Sequence, residues 1–185
     1  MKILIFNGAS ESNVNTTASR LRDYLKTEIE KGGHEAVIFN IGEARIPFLD
    51  MPLAEIPETA VQMCEIFRNA DRHIWLAPLY HGSIPGSMKN CLDWLELTSR
   101  DAKPYLTGKI IALSCWADGT QAMQGISTMD AVAKALRAWT LPYSLPIIRP
   151  QFIDPETGNF TSFYKNKIDL FSAFGNGLNS FGGNH

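Results

Sequence analysis

The chain has 185 residues, 45% of them hydrophobic and 19% charged, with a formal net charge of −2. That describes one globular domain over residues 1–185 with a full core, and it excludes the disordered class and a basic nucleic-acid or anionic-membrane surface. Cys64, Cys91 and Cys115 show no C-x-x-C and the histidines do not cluster, against a disulfide scaffold or zinc site; the opening apolar run is too short for a signal core and no segment approaches a membrane span, so the expectation is a reduced, cytoplasmic protein.

Residues 3–6 form a short apolar run, as expected of a strand covered on both faces. A helix is predicted over 16–31, with Leu21, Tyr24, Leu25 and Ile29 at helical spacing and Gly32-Gly33 as its stop. Residues 35–40 read as a second strand. Residues 41–57 are irregular, broken by Pro47, Pro52 and Pro57. Pro57 suits the first position of a helix whose apolar face carries Val61, Cys64, Ile66 and Phe67. A third strand is predicted over 73–77, a loop over 78–87 and a third helix from there to about 97. A fourth strand is predicted over 109–115, a loop over 116–120 and a helix over 125–138. Residues 145–148 read as a fifth strand, placed at an edge by Pro146, which has no N–H to donate. A turn at 154–158, a last helix over 163–174 and a Gly/Asn-rich end complete the chain. Strict β–α alternation predicts an α/β fold: a doubly wound, five-stranded parallel sheet of flavodoxin-like order 2-1-3-4-5. The loops after strands one, three and four then converge.

Two of those loops carry a ligand signal. The segment after strand three, Pro78-Leu79-Tyr80-His81-Gly82-Ser83, places an aromatic with a polar tip among small residues at a strand's carboxyl end. That suits a flat ligand bonded at its edge by backbone groups. An ordinary β–α connection with an exposed Tyr is the rival. The loop after strand one offers Ser10, Ser12, Asn15, Thr16 and Thr17 just before a helix, where free N–H groups and the dipole favour a phosphate. Simple helix capping is the alternative there. Neither G-x-G-x-x-G nor a P-loop motif is present.

With these residues in view, the sequence resembles the NADPH-dependent FMN reductase family. That family's first loop reads G-S-x-R-x-x-x-N-T. Gly8, Asn15 and Thr16 are in register with it, with Ala9 at the Ser position and Glu11 at the Arg position. Its second loop reads P-x-Y-x-x-S-x-P-G-x-x-K-N-x-x-D-W, and Pro78, Tyr80, Ser83, Pro85, Gly86, Lys89, Asn90, Asp93 and Trp94 match at the same spacings. The resemblance implies FMN with its phosphate on the first loop. Its ring would lie against residues 78–83 and the loop after strand four, with Trp116 and Gly119. Backbone N–H groups of Tyr80, His81 and Gly82 would meet the ring's polar edge, and His81 offers a proton donor near neutral pH.

Tyr80 and Trp116 are the candidate ring contacts; Trp75 and Trp94 fit core packing better. Lys89 at a helix start calls for a partner, Asp93 at i+4 or a ligand anion. The function implied is an oxidoreductase that takes a hydride from NADPH or NADH. It passes electrons to a small acceptor: a quinone, free flavin, metal oxyanion or nitro/azo compound. The chemistry belongs to the cofactor, so no catalytic residue or metal is required. A non-enzymatic flavin carrier and a flavin-free assembly or regulatory member are the alternatives. A homodimer or dimer of dimers is expected. The third helix's apolar face and the Phe-rich tail (Phe163, Phe171, Phe174, Phe181) are the candidate contact, and Phe48 and Met51 the candidate cover for a neighbour's ring.

Overall fold

The computed structural model describes residues 1–11, 13, 15–51 and 55–176. One parallel sheet organises them, in the order β2-β1-β3-β4-β5 with β6 also on β4. β1 (Lys2–Asn7) lies between β2 (Glu35–Asn40) and β3 (Arg72–Pro78). β4 (Ile110–Ala117) follows β3. The expected order holds, and the outermost place holds two short strands in line. β5 (Trp139–Thr140) pairs with the start of β4, and β6 (Leu145–Ile148) with its end. Sequence reasoning missed β5, because two residues give no periodicity to read. Pro146 sits in the edge strand, as its missing N–H requires.

Helices cover both faces. α1 (Thr17–Lys31) turns Leu21, Leu25 and Ile29 inward at i, i+4 spacing and packs on one face with α6 (Ser162–Asn176). The other face is covered by α3 (Glu58–Asn69), α4 (Gly86–Asp93) and α5 (Ala122–Ala135), with the short α2 (Ile41–Ala44) after β2. β1, β3 and β4 are covered on both sides and therefore read as continuous apolar runs.

Several boundaries move. Pro57 lies one residue outside α3, at the N-cap, rather than at its first position. α4 ends at Asp93, and a 3₁₀ turn, Trp94–Thr98, continues the line to Thr98. α5 starts at Ala122, three residues before the expected start. No helix among the described residues is long and apolar enough to cross a membrane.

Candidate functional site

β1, β3 and β4 run side by side, with Asn7 opposite Leu76 and Pro78 opposite Trp116, so the chain leaves all three at one end of the sheet. This is the switch point of the topology.

The first loop is tied down before it opens. Gly8 N–H donates to the Leu76 carbonyl at 2.7 Å. Buried Asn7 accepts from Ala9 N–H at 3.1 Å and donates through Nδ2 to Asn40 Oδ1 at 3.1 Å. Sequence reasoning passed over Asn7; its signal was a lone amide closing an otherwise apolar strand. Ser10, Glu11 and Asn15 then stand exposed. The Thr16 hydroxyl is engaged within the chain itself. Thr16 is the N-cap of α1: Ser19 N–H donates to Thr16 Oγ1 at 3.1 Å, and Thr16 N–H donates to Ser19 Oγ at 3.0 Å. The capping alternative therefore holds for Thr16. The N–H groups of Thr17 and Ala18 have no partner among the described residues and lie at the helix's positive end. Ser12 lies outside the described residues.

The second loop is a tight turn. Pro78 closes β3, and Leu79 N–H donates to the Trp116 carbonyl at 2.8 Å. Tyr80 and Ser83 then exchange backbone bonds of 2.8 and 3.0 Å. His81 and Gly82 between them both have positive φ, 49° and 84°. Glycine suits such a turn, while histidine tolerates it at a cost. The turn consumes the N–H of Tyr80, which therefore does not face a ligand as expected. The N–H groups of His81 and Gly82 remain without a partner among the described residues. The Tyr80 ring beside them is 47% exposed. Gln124, in the first turn of α5, also reaches this turn: its Oε1 lies 3.4 Å from where a Cβ on Gly82 would be. No motif pointed to it.

The third loop is shorter than expected. Trp116 and Ala117 belong to β4, which continues because β6 pairs with its end. The Trp116 side chain is buried in the core beneath α1 and α6 rather than standing in an open loop as expected, and its carbonyl accepts from Leu79 N–H. Gly119 remains in the loop beside the Gln121 side chain, and Asp118 is paired with Arg149, whose Nε donates at 2.6 Å.

The second half of the 78–94 motif is structural. Lys89 pairs with Asp93, as the salt-pair reading has it. Asn90 accepts from Leu49 N–H and donates to the Pro47 carbonyl, both at 2.9 Å, and Trp94 Nε1 donates to the same carbonyl at 2.7 Å. These bonds pin the stretch after β2 to α4, where Phe48 and Met51 stand 83% and 62% exposed. The expected contact surface is not available on α4, because Met88, Cys91 and Leu92 are buried in the chain's own core, as is Phe171 of the tail. Phe163 is exposed; Phe181 and the Phe174 side chain lie outside the described residues. Cys64, Cys91 and Cys115 are free and buried, and burial pushes their thiols up to about 11, 12 and 12.

Comparison with known proteins agrees with this architecture. A family model described as NADPH-dependent FMN reductase matches residues 1–149. The FMN-dependent NADPH-azoreductase of Staphylococcus aureus is 27% identical over 165 residues, which is 86% of this chain and 84% of that protein. The NADPH-dependent FMN reductase ArsH of Acidithiobacillus ferrooxidans is 27% identical over 112 residues, 60% of this chain; the match spans only 47% of that protein's length. Among solved structures, the flavoenzyme NAD(P)H:(acceptor) oxidoreductase FerB of Paracoccus denitrificans superposes with a TM-score of 0.69 at 19% identity, covering 93% of this chain and 94% of that one. That likeness concerns the fold.

Proposed function

The chain belongs to the NADPH-dependent FMN reductase family, and from that premise we propose that the loops after β1, β3 and β4 hold FMN for electron transfer from NADPH or NADH to a small acceptor. One observation carries the placement. The N–H groups of His81 and Gly82, unpartnered among the described residues, stand beside the half-exposed Tyr80 ring, at the strand ends where the start of α1 also opens. The residues fit the group chemically. Two main-chain donors in a fixed turn suit the polar edge of a flavin. The free N–H groups of Thr17 and Ala18, with exposed Ser10 and Asn15, suit its phosphate.

FMN, when bound, supplies the hydride and electron chemistry. The chain's part is to orient it. Thr16 and Ser19 fix the helix start and so the direction of its N–H groups. The exchange between Tyr80 and Ser83 fixes the turn, and the bond from Leu79 to Trp116 anchors that turn to β4. Pro78 at the end of β3, Leu79 and Ser83 on the loop after it, and Gly119 on the loop after β4, belong to the proposed lining. His81 is exposed on the turn, and its ring nitrogens can donate or accept a hydrogen bond there. The acceptor is of the quinone, flavin, metal oxyanion or nitro/azo class.

The proposal extends to assembly and place. A second copy covers the site through Phe48 and Met51, the most exposed large apolar side chains on the stretch pinned to α4. The three free, buried thiols suit a reducing cytoplasm.

The test is an FMN titration of the purified protein, followed by NADPH and NADH oxidation with a quinone or azo dye as acceptor. Flavin fluorescence quenched on binding, with turnover that needs FMN, is the expected result. No calorimetric or spectral change at saturating FMN overturns the proposal.

A further inference from the structure

At the amino-terminal end of the sheet, opposite the loops described above, a cavity of about 510 Å³ opens between the end of α3 and the segment that enters β4. Three cations line it: Arg68, Lys103 and Lys109. Arg68 is committed, since it pairs with Asp101 and donates through Nη2 to the Lys103 carbonyl at 3.2 Å. Lys103 and Lys109 make no side-chain hydrogen bond or ion pair among the described residues. Most other lysines of the chain do: Lys2, Lys26, Lys31, Lys89, Lys134 and Lys165 each hold a carboxylate.

Two carboxylates share the cavity, and neither satisfies the lysines. Asp71 accepts the main-chain N–H of Lys2 at 2.7 Å, and Glu65 is exposed. Lys109 is the informative group. Burial pushes its ammonium down, Asp71 draws it up beyond ion-pair distance, and the neighbouring Arg68 and Lys103 push it down again. An ammonium drawn partly out of water, unpaired and beside two more cations, is unfavourable unless an anion completes the site. The Tyr105 ring closes one wall, with Arg137 over it at 5.5 Å.

We propose that this cavity is a second ligand site, in which the ammonium groups of Lys103 and Lys109 receive a phosphoryl group of a small anion. Arg68 keeps its ties to Asp101 and the Lys103 carbonyl and so holds the segment carrying Lys103 in place. The site is independent of the flavin loops, which lie at the other end of β3 and β4.

The test uses inorganic pyrophosphate as probe, with citrate at matched ionic strength as control. Lysine acetylation at about pH 8, read by mass spectrometry, reports on each lysine separately and is run with and without FMN. Pyrophosphate is expected to protect Lys103 and Lys109 and to leave Lys26 and Lys134 unchanged, in both cases. In calorimetry, Lys109→Gln and Lys103→Gln should each weaken pyrophosphate binding about tenfold or more, the loss expected for a hydrogen bond to a charged group. Melting curves and Lys109→Arg, which keeps the charge and most of the binding, show that the variants fold. Uniform protection of all lysines, unchanged affinity in Lys109→Gln or equal protection by citrate overturns the assignment.

Discussion

Trp75 donates its indole N–H to Nδ1 of His73 at 3.4 Å, from two positions further along the same face of β3. The other ring nitrogen of His73, Nε2, lies 2.8 Å from the Phe67 carbonyl and donates to it. That carbonyl is one of the orphan acceptors in the last turn of α3, so a strand side chain completes a helix end. The two bonds fix one tautomer of a neutral imidazole. Burial, above all, pushes its pKa down from 6.5 to about 3.

Stability should therefore depend on pH through His73. The unfolded chain takes up a proton below about 6.5 and the folded one only near 3, so the unfolded state binds more protons between them. The contribution is fully present above pH 6.5 and is lost as pH falls toward 3, at up to about 1.4 kcal/mol per pH unit. Urea unfolding of the native chain and of His73→Gln at descending pH checks it; the variant should start less stable and lose less between pH 6 and 4. Parallel loss in both would place the dependence elsewhere.

Two substitutions in the first loop should separate ligand contact from capping. Asn15→Ala should weaken FMN by roughly 1.5–3 kcal/mol and hardly touch riboflavin, which lacks the phosphate. Thr16→Ala should instead destabilise the fold by about 1 kcal/mol through the lost cap. Paired titrations with the two flavins, together with melting curves, read both. Equal losses for riboflavin and FMN in Asn15→Ala would place the phosphate elsewhere.

Gly42 of α2 supports the same loop from behind. A Cβ there would lie 2.7 Å from the Ser10 carbonyl oxygen, a main-chain atom that cannot swing aside. Gly42→Ala should shift the loop and weaken FMN more than riboflavin, although residue 42 touches neither. An unchanged FMN affinity would show that Ser10 contributes nothing to the phosphate site.

The thiols should be silent. Cys91 and Cys115 are buried and pushed up to about 12, and Cys64 to about 11, so little thiolate forms at neutral pH. Ellman's reagent should titrate none of the three in the folded protein and all three in denaturant. A fast-reacting thiol in the native state would contradict this.

Turnover and assembly can be examined together. If donor and acceptor use one face of the ring in turn, double-reciprocal plots are parallel; intersecting plots mean separate sites. Phe48→Asp should leave a folded monomer in sedimentation with reduced turnover. A wild-type chain that is fully active as a monomer removes the second subunit from the site.

The architecture was legible because β1, β3 and β4 are sandwiched between helices and spell it as apolar runs, and because capping and breaking residues mark α1 and α3. At the outer edge β6 was legible, through Pro146, but β5 was not. There β5 and β6 share one place, and pairing with β6 carries β4 through Trp116, which only the tertiary partner reveals. The 78–94 motif was legible as a match but not in its parts. Tyr80 to Gly82 belong to the tight turn after β3, while Asn90 and Trp94 hold Pro47 and Leu49, a long-range role that spacing does not encode. Asn7 and Gln124 were missed because each is a single amide without a pattern around it.

The two donors of the Tyr80–Ser83 turn that stay unpartnered among the described residues are main-chain groups, and its own closing bonds are main-chain bonds as well. Side chains at 80, 81 and 83 can therefore be exchanged without deleting those bonds, provided that no proline is introduced and that residues 81 and 82 keep their positive φ. A saturation library at Tyr80, His81 and Ser83 with Gly82 held constant should accordingly yield many flavin-loaded variants that differ in what they reduce. Drift in nature would have the same freedom: with FMN held as proposed, the grip on the cofactor and the choice of acceptor are written in different atoms.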